Sequence, residues 1–471
     1  TTCRRQRQMC IRDSNNCLYK TYIAEYTFKK NMKNIYLILV TLCFNLPAEN
    51  LLEIYQEALE KDPNFNLNKA DLELNREYLN QQRSSLGPRL TIGGQTNWNE
   101  YYQDRLLSND YNTFNYNLNL TQPIFRLDSW FQVKRLKENF KAAEARFAYQ
   151  QQDLMVRVTS AYFNILSAKS ALAVARATEK ALENQYQRIQ ERFNVGAASK
   201  IELAEAKAAY NKAISDSVLA KGNQEISFEE LNSIVGREIT LIAPINDDLE
   251  LNIPDKSIDE EVNFAINSNL LILESKKRLD GSKANSKSAT ARFLPKIDAS
   301  ANVNRRTSKQ YTFDGLDSDL DLPFFIPTET ETRNFGIQFS LPLFTSGLNN
   351  SQRRQALLEE VKSEEQVILI ERNVIQQVRS LYTALQTAKL NIEALKASEE
   401  SSEDALEATR LGYELNSRNL IDLLQAERSY SEVQNRLNQS VFGFIVTSLQ
   451  YKQALGTLDP KDILELNKNL Q

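Results

Sequence analysis

The stretch FNYNLNLTQPIF, Phe114–Phe125, decides the fold. Phe114, Tyr116, Leu118 and Leu120 alternate with Asn115, Asn117, Asn119 and Thr121. A period of two puts the apolar side chains on one face of a strand and the polar ones on the other. The same writing returns as FGIQFSLPLF, where Phe335, Ile337, Phe339 and Leu341 alternate with Gly336, Gln338 and Ser340 before Pro342. Two further stretches alternate in the same way. Leu90, Ile92 and Trp98 are interleaved with Thr91, Gln95 and Asn97, and Ile297, Ala299 and Val303 with Asp298, Ser300 and Asn302. Strands are therefore predicted at about 89–99, 113–123, 296–306 and 333–342.

Strands of this length with one apolar and one polar face fit a membrane barrel around a wet lumen. Half-buried strands of a soluble sheet would carry the same alternation. A leader-like segment, the asparagine-rich polar faces, and Trp98, Tyr101 and Trp130 near the strand ends favour the membrane. Four strands cannot close, since the smallest membrane barrels have about eight. An open edge in lipid would leave backbone N–H and C=O groups unpaired at several kcal/mol each. Several chains must then share one barrel, and this reasoning leaves their number open.

Downstream of each strand pair, no proline occurs between Pro123 and Pro244 or between Pro342 and Pro460. Leu154, Val158, Ala161, Ile165, Ala168, Leu172 and Ala175 recur at steps of four and three. Val374, Val378, Leu381, Leu385, Ala388, Ile392 and Leu395 do so 220 positions later. That 3.5-residue period is the seam of a left-handed coiled coil. A helix from about Ser129 to Phe193 would run on the order of 100 Å at 1.5 Å per residue. Each long helix stops at a turn, Asn194-Val195-Gly196 in one half and Glu414-Leu415-Asn416 in the other. Gly196 and Asn416 are residue types suited to the left-handed position past a helix end. Helical hairpins are predicted at about 128–235 with a tip at 194–199, and at about 348–455 with a tip at 414–419.

The two halves register on one another. Ala58 and Ala265, like Pro88 and Pro295, lie 207 positions apart, Pro123 and Pro342 lie 219 apart, and Tyr162 and Tyr382 lie 220 apart. So long a shared offset marks a duplication, with one repeat over 49–248 and the second over 249–471. The expected fold class is mainly α with a small membrane β part: four barrel strands per chain, long coiled-coil hairpins and a two-fold internal repeat.

Composition narrows the chemistry. The 471 residues include 57 Lys/Arg against 61 Asp/Glu and no histidine. Without histidine there is no imidazole acid–base chemistry and no His-ligated metal. Cys3, Cys10, Cys17 and Cys43 all lie in the first 48 residues. From Met32, Lys33, the apolar run Ile35–Phe44 and Leu46-Pro47-Ala48 read as a signal peptide over 32–48. Residues 1–31 are expected to precede the true start, and the exported chain then carries no thiol. No glycine-rich phosphate loop occurs, and an acidic chain without basic clusters argues against nucleic acid. No enzyme and no cofactor are expected.

LTQPIF (120–125), AYFNIL (161–166), RFNVGAAS (192–199), FSLPLF (339–344), QQVRSLY (376–382), GYELNSR (412–418) and ALGTL (454–458) together resemble the TolC family of outer-membrane efflux and secretion proteins. The resemblance is closer to the TolC branch than to the lipid-anchored drug-efflux branch. It implies a TolC-like channel-tunnel: a homotrimer sharing a twelve-stranded barrel in the cell outer membrane, in contact with outer-membrane lipid, with a helical tunnel in the periplasm. It also implies a passive exit duct for drug efflux, type I protein secretion or both. A periplasmic adaptor (membrane fusion) protein and an inner-membrane pump or ABC exporter would be its partners. The family's gate bonds map onto Glu202, Tyr413 and Arg418, with Glu202 where the family has aspartate. Asp422 maps onto a ring of acids at the pore constriction, and Gln425 replaces the second acid of that ring. Val195, Gly196 and Ala197, with Leu415, Asn416 and Ser417, map onto the tips that adaptors grip. The alternative is a secreted coiled-coil structural or spacer protein, for which the asparagine-studded strands have no use.

Overall fold

The computed structural model describes residues 49–101, 109–244, 253, 256–308, 329–415 and 417–468. The leader read at 32–48, the segment before it and Asn416 lie outside the described residues. In chain order the elements are α1 (Leu51–Lys61), α2 (Pro63–Ser84), β1 (Arg89–Tyr101), β2 (Asn109–Phe125), α3 (Leu127–Asn194) and α4 (Lys200–Val235). The second set is α5 (Ile258–Ser268), α6 (Leu270–Ala291), β3 (Lys296–Ser308), β4 (Glu329–Ser340), α7 (Leu348–Glu414), α8 (Leu420–Leu455) and a closing α9 (Pro460–Lys468).

The duplication is visible in these bounds. α1, α2 and β1 recur as α5, α6 and β3 at an offset of 207, and α4 recurs as α8 at 220. The caps recur with them. Asn50 N–H donates to Glu53 at 3.3 Å, and Ser257 N–H donates to Glu260 at 3.3 Å, the reciprocal arm of a capping box. Asp62 and Asn269 cap the next helices. Gly236 and Gly456 end α4 and α8 at φ +76° and +78°, a conformation costly for any residue with a Cβ.

The four strands form one antiparallel meander in the order β1-β2-β3-β4. Arg89 pairs with Thr121, Leu118 with Val303 and Ile297 with Phe339, so the two copies join through β2 and β3. The outer edges of β1 and β4 have no partner strand among the described residues. Ile92, Trp98, Phe335 and Ile337 are 72–83% exposed, an apolar face with nothing of this chain over it.

Below the sheet the helices keep the lateral order of the strands: α2, α3, α6 and α7 stand side by side under β1 to β4. α3 and α6 approach closely because position 281 is glycine; a Cβ there would stand 2.4 Å from the Asn139 side-chain oxygen. Arg126 and Asp298 bind each other at 2.6 Å, tying the two copies together at the strand–helix junction.

The main core sits midway along α3. Leu51, Ile54, Tyr162, Phe163 and Ile242 are buried together, and the Tyr162 hydroxyl donates to the Ala243 carbonyl at 2.8 Å. Its repeat partner Tyr382 donates to Lys256 C=O at 3.3 Å, so each copy uses a tyrosine to hold its incoming or outgoing linker. The 68 residues of α3 run about 100 Å at 1.5 Å per residue. Among the described residues no helix is long and apolar enough to cross a membrane.

Candidate functional site

The hairpins α3–α4 and α7–α8 end side by side. Ile189, Ala206 and Leu420 form a small buried cluster, against which Tyr186, Leu203, Tyr413 and Leu424 pack. This cluster takes residues from both hairpins, so the two tips are held as a pair.

Both turns are built alike. Ala197 N–H donates to Arg192 C=O at 2.7 Å, and Ser417 N–H donates to Gly412 C=O at 2.8 Å. Gly196 has φ +76°, the left-handed position that the sequence requires of it. Ser199 starts α4 with a complete capping box. Its side chain accepts from Glu202 N–H at 3.1 Å, and Glu202 Oε2 accepts from Ser199 N–H at 2.7 Å. Asn419 starts α8 the same way, accepting from Asp422 N–H at 2.8 Å and donating its own N–H to Asp422 Oδ2 at 3.4 Å. At the very ends, Val195 and Leu415 are each 79% exposed. Exposed apolar residues recurring at both tips offer contact area to a partner.

The gate residues inferred from the resemblance have these positions. Tyr413 lies in the inter-tip cluster, and its hydroxyl accepts from Arg192 Nη1 at 3.5 Å, a bond between the two hairpins. Glu202 is committed to the Ser199 cap. Arg418 is exposed, with Nη1 4.0 Å from Asp422 Oδ2, and its stem lies over Gly412, where a Cβ would meet Cγ at 2.8 Å. Within one chain no hydrogen bond links Glu202 to Tyr413 or Arg418 among the described residues. Asp422 and Gln425 stand one turn apart at the start of α8, Gln425 exposed. Ser417 Oγ donates to Gly412 C=O at 2.9 Å, and Asn416 lies outside the described residues.

Sequence reasoning missed Arg192, Gly412 and the two caps. Ser199-x-x-Glu202 and Asn419-x-x-Asp422 carry the capping signature and could have been found by it. The hairpins exchange arginines: copy one has Arg192 and Ala198, copy two Gly412 and Arg418 at the corresponding places. Two to three turns above the tips, Glu427 of α8 lies in the seam, 3.7 Å from Arg410, with one carboxylate oxygen buried and unpartnered. Burial raises its pKa, against the pull of Arg410 and of Arg188 on α3. Among the described residues no cluster of three or more acids or thiols could hold a metal.

The sequence profile of the family described as outer membrane efflux protein matches residues 54–237 and 262–456, one match per copy. The outer membrane protein TolC of Escherichia coli (strain K12) is 28% identical over 426 residues, spanning 90% of this chain and 85% of that protein. The alkaline protease secretion protein AprF of Pseudomonas aeruginosa is 26% identical over 426 residues, spanning 88% of this chain and 86% of that one. The crystal structure of the Campylobacter jejuni CmeC outer membrane channel superposes with a TM-score of 0.72 at 19% identity, over 90% of each chain.

Proposed function

This chain belongs to the outer membrane efflux protein family and is a subunit of an outer-membrane channel for efflux or secretion, and we propose that three copies close one barrel whose periplasmic tips a partner opens. The observation that carries the assembly is the pair of edges, on β1 and β4, without a partner strand among the described residues, flanking a sheet whose apolar face is bare. In lipid both edges must be satisfied, and copies of the same chain supply the matching edge. Three copies of four strands make twelve, above the minimum of about eight that a membrane barrel needs. The units that repeat are 49–248 and 249–471, with residues 32–48 removed on export as a signal peptide.

In this reading the duct is passive. It is not an enzyme, and energy comes from an inner-membrane pump or ABC exporter reached through a periplasmic adaptor. Val195, Gly196 and Ala197 with Leu415, Asn416 and Ser417 form the adaptor's hold, which the exposure of Val195 and Leu415 supports. Glu202, Tyr413 and Arg418 act at the gate, and Asp422 and Gln425 line the constriction. A ring of Asp422 carboxylates favours cations.

The test is fractionation followed by electrical recording. The chain is expected in outer-membrane fractions as a trimer that survives mild detergent and separates on heating. In planar bilayers it is expected to give a small, cation-selective conductance. A soluble periplasmic monomer would overturn the reading.

A further inference from the structure

A cleft of about 330 Å³ lies between α3 and α6, a few turns below the sheet, and five lysines line it: Lys134 and Lys141 from α3, and Lys277, Lys283 and Lys287 from α6. Two carboxylates share it. Glu138 is bound by Lys141 at 3.0 Å, and Asp280 by Lys277 at 3.1 Å. Lys134, Lys283 and Lys287 are exposed and have no ion pair among the described residues. The cleft thus carries an excess of three positive charges in a chain that is otherwise acidic, and no carboxylate among the described residues answers them.

Its level and its face follow from Trp130. Trp130, Lys134, Lys137 and Lys141 recur at steps of four, three and four, one stripe of α3. Trp130 is 62% exposed and stands five residues past the end of β2, where an aromatic side chain marks the membrane–water boundary. α6 packs against an adjoining side of α3, where Gln132 donates to Ser288 Oγ at 2.8 Å, so the cleft opens on the side that carries Trp130. Lys134 and Lys141 therefore share one face of α3 with Trp130, which the interfacial tryptophan makes the lipid side in this reading. At 1.5 Å per residue Lys134 lies about 6 Å and Lys141 about 16 Å beyond it, a span that begins in the headgroup layer, and lysine stems reach back towards that layer. Because α3 and α6 are the two middle helices of the four, assembly through the edges leaves the cleft open.

We propose that this cleft binds the phosphate of an anionic phospholipid headgroup in the leaflet that faces the helices, fixing the depth of the barrel where the two copies meet. The proposal rests on the outer-membrane placement. Basic pockets between helices at a membrane surface hold such headgroups, each lysine being worth on the order of a fivefold change in binding.

The test is native mass spectrometry of the full chain purified from outer membranes and supplied with phosphatidylglycerol or phosphatidylcholine. The parent trimer is expected to retain phosphatidylglycerol over phosphatidylcholine. The variant Lys134→Gln/Lys283→Gln/Lys287→Gln is expected to lose that preference, and Lys207→Gln/Lys212→Gln/Lys221→Gln, which removes the same charge from α4, to keep it. Inorganic pyrophosphate is expected to leave the lipid in place. Equal retention by the cleft variant, or equal loss in the α4 variant, would overturn the proposal. Displacement by pyrophosphate would make the cleft a site for soluble phosphate instead. Monomers throughout would remove the membrane reading and the proposal with it, a result distinct from trimers without lipid.

Discussion

Glu202 and Asp422 stand at the same place in the two copies, 220 positions apart, each the third residue of its helix with its carboxylate turned back onto the N-cap N–H. The family resemblance gives them different duties, one at the gate and one at the constriction. Their shared bond means that either acid leaves the N–H of its N-cap residue without a partner when it turns elsewhere. Glu202→Ala is expected to cost the first tip about 0.5–1 kcal/mol, whereas glutamine keeps the bond. Hydrogen exchange at the amides of residues 200–203 should quicken several-fold in Glu202→Ala and hold in Glu202→Gln. Equal quickening in both would mean that charge, and not the hydrogen bond, holds the turn.

Tyr413 meets Arg192 across the hairpins, and in the proposed gate the two act as one latch. Tyr413→Phe with Arg418→Ser is expected to raise single-channel conductance and admit large antibiotics. Arg192→Gln should substitute for Tyr413→Phe in that pair. Combined, Arg192→Gln and Tyr413→Phe should open the channel no further than either alone, because both remove the same contact. Additive conductance gains would sink the latch.

Glu427 gives the seam a pH dependence whose sign follows from burial. Its pKa is raised, so the folded chain holds the proton more tightly than the unfolded chain. That contribution is full below the ordinary carboxylate pKa of about 4.3 and fades as pH rises through the raised value. At pH 7.5 the ionised group is a liability, so Glu427→Gln should raise the temperature at which trimers separate. The difference should shrink on acidification and be gone by about pH 4. A gap independent of pH would assign the effect to packing.

Gly236 and Gly456 share a left-handed φ but not their surroundings. A Cβ on Gly236 meets open space, while on Gly456 it would lie 2.5 Å from the Ser268 carbonyl oxygen. Gly236→Ala is expected to cost about 1 kcal/mol for the backbone alone. Gly456→Ala should cost clearly more, since α5 and α6 must shift where they join. Trimer-separation temperatures of the two variants give the ranking, and equal values would contradict it.

The strands and seams were legible because periodicity is written by near neighbours. Phe114 to Thr121 needs no distant residue to be read as a two-faced strand, and the offset of 207 recovers β3 from β1. Ala168, Ala175, Leu381 and Leu395 fit the seam period yet remain part-exposed, because one returning helix covers only part of a long helix's apolar stripe. The pairing of Arg192 with Tyr413 was not legible. It depends on how two turns of separate hairpins are set side by side, which no local pattern records. The capping boxes were legible by their spacing; there the family resemblance drew Glu202 towards the gate ahead of the simpler local bond.

The reciprocal arginines at the tips bear on symmetry. Three chains would present six hairpin ends in a ring, alternating between two kinds. A partner that touches only Val195 and Leu415 would meet six nearly equal sites and could dock in sixfold register. A partner that feels Arg418 in one kind and Ala198 in the other would find every second site wrong and settle into threefold register. The order of rotational symmetry that a partner obeys is thus set by which side of one small turn it reads.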